Sequence, residues 1–200
     1  MNHKKEEFEI PLTEDLMREH GVLNRVLLIY EEIVKRINNH HDFPISALQK
    51  TIDIIRLFIE NHHERLEEDY IFPLFEKHKK ELALIAVLKE QHIKGREITA
   101  QLEKLVTASH VDHAAKLSIK HLLEEFIIMY RPHESHEDTQ IFPLVRSFMS
   151  EKEFEELGEL FEDFENQLFG EDGFELMIKK LESIEKELDL YDLHQFTPVD

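Results

Sequence analysis

Histidine and glutamate recur four residues apart at two places in this chain. His63 and Glu67 lie in the segment HERLEEDYIFP (His63–Pro73), and His133 and Glu137 lie in HESHEDTQIFP (His133–Pro143). Aligned without gaps, six of the eleven positions are identical, and Glu68 faces Asp138. His20 precedes the first pair by 43 residues and His92 precedes the second by 41, each closely after an acid and each followed by a basic residue, Arg25 or Arg96. The chain therefore reads as two copies of a helical hairpin, each giving one lone histidine and one H-x-x-x-E pair.

Residues four apart on a helix share one face, about 6 Å apart along the axis. Both pairs continue apolar stripes, so their carboxylates are expected in the interior. Two uncompensated buried carboxylates close together would cost several kcal/mol or force protonation. A divalent or trivalent metal ion removes that cost. Four imidazoles and two carboxylates with no thiolate suit iron or manganese, with zinc also compatible. Two ions could each take two histidines, His20, His63, His92 and His133 being terminal ligands, with Glu67 and Glu137 bridging.

The elements that must position these residues are helices. Apolar residues recur at three- and four-residue spacing, and only five glycines and six prolines interrupt them. The spacing predicts helices over about 13–38, 46–79, 81–108 and 112–148, with Thr13 and Ser46 as N-caps. The first carries Leu16, His20, Leu23, Leu27, Tyr30, Ile33 and Ile37 inward. The second carries Ile52, Ile55, Ile59, His63, Glu67, Tyr70 and Leu74 inward. Pro73 is expected to kink or end the second helix, and Pro132 to kink the fourth. Short connections make this an all-α, up-down-up-down four-helix bundle over residues 1–149. Residues 150–200 are expected to add two helices, one capped by Ser150, packed on the bundle and followed by an extended tail from Tyr191.

Composition excludes several other classes. Lys plus Arg number 24 against 43 Asp plus Glu, a net charge of −19, which repels nucleic acid and anionic membranes. With no cysteine, thiolate metal sites and disulfides are excluded. No apolar run is long enough for a membrane span, and the N-terminus lacks a secretory pattern, so a cytoplasmic location is expected. Ferritin-like Glu-x-x-His occurs once, at Glu60 and His63, but Tyr130 stands where the repeat would need a second glutamate.

The order His20, His63 with Glu67, His92, His133 with Glu137 resembles the hemerythrin-like, or HHE cation-binding, family. RPHESHEDTQIFP (Arg131–Pro143) is similar to a signature of its bacterial members, and GEDGFELMIKKLESIEKELDLYDLHQFTP to an extension found in a subgroup. The resemblance covers most of the chain. It implies a hemerythrin-like bundle holding a carboxylate-bridged pair of non-heme iron ions that meets O2, peroxide or nitric oxide. Oxygen-carrying hemerythrins place a further histidine where this chain has Arg96, and an aspartate five residues after the last histidine, where Asp138 stands. The four-histidine, two-glutamate set is more similar to the di-iron repair and stress-response branch, although that branch's N-terminal cysteine is absent. A metal-binding sensor, or an iron or oxygen store without turnover, is the alternative. A metal-free helical interaction module is a third.

Around the six candidates, His62 is expected at the surface or as a support to the ligands, and His136 at the rim at most. Tyr70 and Tyr130 could line the site or pack in the core. Gly95 leaves room above His92 for a ligand or for close helix packing. His3, His40, His41, His78, His110, His113, His121 and His194 show no partner pattern and are expected to face solvent.

Overall fold

The computed structural model describes residues 11–107, 110–170 and 172–198. Four long helices form the bundle: α1 (Leu12–Asn38), α2 (45–78), α3 (Leu82–Val106) and α4 (113–145). Two more, α5 (Glu151–Phe169) and α6 (Gly173–Glu187), pack on it. No strand occurs among the described residues. The helices alternate in direction: one apolar cluster gathers the beginnings of α1 and α3 with the ends of α2 and α4. The fold is the expected all-α hemerythrin-like bundle.

The ends differ from expectation in detail. Helix α1 begins at Leu12, after Pro11, whose carbonyl accepts from the Glu14 and Asp15 amides, so Thr13 is not the cap. Helix α2 begins at Ile45 after Pro44, and the Ser46 hydroxyl donates instead to Glu187. Asp112 caps α4 by accepting from the Ala115 amide, and Ser150 and Glu153 form a reciprocal capping box at the start of α5. Helix α3 ends at Val106; the expected terminus at Ala108 lies outside the described residues. The tail forms a 3₁₀ turn at Leu193–Phe196 rather than staying extended, with Asp192 capping it.

The prolines do not break their helices. Helix α4 continues through Pro132 in its α-helical register. Pro73 and Pro143 each follow a π-helical stretch, Glu67–Ile71 and Glu137–Ile141, and an α-helical turn resumes beyond. Proline lacks an N–H and crowds the carbonyl four residues back, and the wider π turn takes up that conflict. A longer π stretch covers Ile55–His63. These turns shift the inward face: Tyr70 is exposed, and Leu66, Ile71, Phe72 and Phe75 are buried in its stead.

The core has two apolar clusters. One holds Val22–Ile37 residues of α1, the first part of α2, and the later part of α3 with the earlier part of α4, sealed by Met177, Leu181 and Ile184 of α6. The other holds Leu12, Leu16, Phe72, Phe75, Ile85, Leu88 and Phe142, sealed by Phe154 and Phe161 of α5. Buried polar residues lie between them. The bidentate pair of Arg25 with Glu185, at 2.8 and 2.6 Å, ties α6 to α1.

Candidate metal centre

All six residues singled out by spacing meet in that polar layer, each at most 4% exposed. The two histidines of each hairpin lie side by side. His20 and His63 bring their Nε2 atoms to 3.0 Å, and His92 and His133 to 3.2 Å. The carboxylates cross between the pairs. Glu67 Oε2 is 3.6 Å from His63 Nε2 and 3.5 Å from His92 Nε2. Glu137 Oε2 is 3.4 Å from His20 Nε2 and 3.1 Å from His133 Nε2. Each carboxylate thus reaches one histidine of each hairpin.

Each histidine is held from behind through Nδ1. His63 is held by Glu19 at 2.6 Å and His133 by Gln91 at 2.9 Å, the residues just before His20 and His92. His20 is held by Asp138 at 2.7 Å and His92 by Glu68 at 2.9 Å, the residues just after Glu137 and Glu67. The first kind of contact stays within a hairpin and the second joins the two. The repeated frame is thereby explained nearly position by position. Its phenylalanines cover the lone histidine of the other hairpin: Phe72 stacks on His92 and Phe142 on His20, with ring centroids 5.6 and 5.4 Å apart.

These outer contacts fix which face of each ring looks inward. A neutral imidazole that donates from Nδ1 has only a lone pair at Nε2. Four such lone pairs, drawn to 3.0–3.2 Å in pairs, repel unless a cation or a proton lies among them. All four oxygens of Glu67 and Glu137 are buried without a hydrogen-bond partner. Burial, together with the charge of Glu137, pushes the Glu67 carboxyl well above its usual range. Burial also opposes ionisation of Glu137, but His133 and His20 outweigh it and hold that carboxyl well below its usual range. His20 is pushed up to about 10: burial works against its charged form, and Asp138 and Glu137 prevail. Burial takes His92 down to about 4 despite Glu68. The donor set and its orphaned oxygens fit bound metal cations.

Neighbouring residues resolve several expectations. Asp138 supports His20, so the carboxylate facing the centre is Glu137. Arg96 turns away to pair with Glu64 at 2.8 Å and Glu68 at 2.7 Å. The Tyr130 hydroxyl donates to Glu64 at 2.5 Å and fills the space beside Gly95, where a Cβ would lie 2.0 Å from that oxygen. Gly95 therefore admits Tyr130 and leaves no ligand space. His62 is buried, 1% exposed, against Glu19, Phe58 and Phe164. His136 is exposed and faces the Pro132 carbonyl. His40, His41, His78, His110, His113, His121 and His194 are exposed as expected, and His3 lies outside the described residues. Spacing alone did not single out Glu19 or Gln91 as supports. The available signal was a polar residue directly before each lone histidine on an otherwise apolar face.

No helix among the described residues is long and apolar enough to cross a membrane. No solved structure matches the chain. Uncharacterized proteins of Mycobacterium tuberculosis strain H37Rv and of Mycobacterium bovis are each 45% identical over 195 residues, covering 96% of this chain and 76% of theirs. The family model for the hemerythrin HHE cation-binding domain matches residues 12–145 and again 83–191. The second match starts at α3, one hairpin later, in keeping with a duplicated hairpin. The chain belongs to the hemerythrin HHE cation-binding domain family, whose members are metal-binding helical proteins.

Proposed function

We propose that this chain holds two iron ions and that the pair binds or reacts with O2, peroxide or nitric oxide. His20, His63, His92 and His133 are the terminal ligands, and Glu67 and Glu137 bridge. The observation carrying this reading is that each carboxylate reaches one histidine of both pairs. Iron bound here would supply redox equivalents and coordination positions for a small ligand. Manganese and zinc are also compatible with these donors.

The chain's own residues supply the setting. Glu19, Gln91, Glu68 and Asp138 fix each ring's orientation and raise its basicity as a ligand. Phe72, Phe142 and the two apolar clusters exclude bulk water, which admits small uncharged molecules in preference to large polar ones. The His20–Asp138 contact can hold a proton at the edge of the centre, where Asp138 is partly exposed.

The test is iron reconstitution followed by ultraviolet–visible spectroscopy in air, under dithionite, and with peroxide or nitric oxide. Near-ultraviolet bands of a bridged ferric pair that change on reduction, and change again with one of the small molecules, are expected. An iron-loaded protein inert to all of these contradicts the reading. Peroxide decay separates turnover from storage or sensing.

A further inference from the structure

A second cluster of metal-ligating side chains lies one layer outside the first, where α5 covers α1 and α2. Glu19 uses Oε2 to hold His63 and sets Oε1 2.8 Å from His62 Nε2. The His62 ring is enclosed by Phe58, Phe164 and Phe169, and its Nδ1 is buried with no partner. Glu165 of α5 brings a carboxylate to the same place. One ligand atom each from Glu19, His62 and Glu165 lie within 4.8 Å of one another. Gly173 makes room for Glu165: a Cβ there would sit 2.8 Å from Glu165 Oε1. Asp15, one turn before Glu19, adds a further negative charge that disfavours ionisation of Glu165.

A cluster of the same composition shows what is missing here. Glu64, Glu68 and His92 also gather two carboxylates and an imidazole, but Arg96 supplies their positive charge through contacts of 2.8 and 2.7 Å. Among the described residues, no lysine or arginine makes such a contact with Glu19 or Glu165. Arg18 pairs with Asp15 at 3.0 Å and lies over the Phe174 ring. In the second hairpin, Gln91 and Pro132 stand at the places of Glu19 and His62. The outer cluster is therefore confined to the hairpin half that the C-terminal extension covers, and the extension supplies one of its donors.

We propose that Glu19, His62 and Glu165 form a third, outer cation site for a divalent first-row transition-metal ion. Two carboxylates and an imidazole match the preferences of iron(II), manganese(II) and zinc(II). A cation there balances the charge of half-buried Glu165 and of buried Glu19, whose hydrogen-bond partners are imidazoles and not Lys or Arg. Because one oxygen of Glu19 serves this site and the other holds His63, an ion here also polarises the hydrogen bond behind an inner-site histidine. The site stands whatever metal the inner centre holds.

The test is zinc(II) binding by the metal-free full chain, counted by elemental analysis after removal of free ion. Glu165→Gln and His62→Gln are each expected to bind one ion fewer than wild type. Glu137→Ala is expected to lose a different ion, so that its loss adds to that of Glu165→Gln. Unchanged stoichiometry in a folded Glu165→Gln or His62→Gln variant overturns the proposal. Anomalous scattering from zinc in wild-type crystals is the check that needs no variant. A peak among the three side chains supports the site, and its absence in zinc-saturated crystals overturns it.

Discussion

Glu19 and Gln91 hold the same place in the two halves of the bundle, each accepting from Nδ1 of its hairpin's second histidine, His63 at 2.6 Å and His133 at 2.9 Å. One is a carboxylate and the other an amide. The rest of the support differs in the same sense. Asp138 behind His20 has no basic side chain against it among the described residues, whereas Glu68 behind His92 is shared with Arg96. Negative charge thus accumulates behind the His20–His63 pair, and those rings are the stronger donors.

The two inner positions are therefore expected to release metal unequally. Under chelator competition in a Glu165→Gln background, chosen to remove the proposed outer ion, Glu19→Gln should weaken retention of one inner ion by roughly 10–100-fold. Gln91→Glu in that background should strengthen retention of the other. Equal, single-phase release in the background and both variants would show that this difference has no effect on the metal.

The Gly95–Tyr130 contact gives a stability prediction. Gly95→Ala places a methyl group 2.0 Å from the Tyr130 hydroxyl oxygen and 2.8 Å from the ring carbon bearing it. Overpacking of this kind costs about 1–3 kcal/mol. Tyr130→Phe should cost about 1–2 kcal/mol through its lost hydrogen bond to Glu64. Combining the two should rescue the overpacking only in part, because the contact with the hydroxyl oxygen goes while ring carbons at 2.8 and 2.9 Å remain. Chemical denaturation of the three variants measures each, and a fully stable Gly95→Ala protein would contradict the packing.

Glu165 gives a pH dependence. Burial and the neighbouring Glu19 and Asp15 charges push its carboxyl from 4.5 up to about 7, while His62 and the Phe174 amide oppose them. Between those values the folded chain keeps a proton that the unfolded chain has lost. That group's contribution is fully present below about pH 4.5 and is lost as pH rises through about 7. In metal-free protein, the stability difference between wild type and Glu165→Gln should accordingly shift against wild type from pH 5 to pH 8 (about the span of the two values). Denaturation midpoints of both proteins across that range check the sign, and parallel curves would contradict it.

The six candidate ligands were legible because each continues an apolar stripe at helical spacing, where a charged or imidazole side chain needs an internal reason. The duplicated frame also marked Glu68 and Asp138 as equivalent. Their task was not legible, because each reaches a histidine in the other hairpin and only the packed bundle brings them together. Tyr70 was misplaced for a local reason: the π turns shift the helical phase, which strict three- and four-residue spacing cannot register. His62 was expected at the surface or as a support to the ligands; it bears on Glu19, which holds His63, and α5 with its terminal Phe169 closes over it. A burial created by a distant element leaves no local pattern. The same holds for Arg25 and Arg96, alike in sequence, which go to Glu185 of α6 and to Glu64 and Glu68 of α2.

The bridging role of Glu67 and Glu137 is tested most directly by iron content. The measurement uses the Glu165→Gln background, in which the outer position does not contribute. That protein should retain two irons per chain, and adding Glu67→Ala and Glu137→Ala together should leave none while circular dichroism stays helical. Two irons retained after both glutamates are removed would contradict the account.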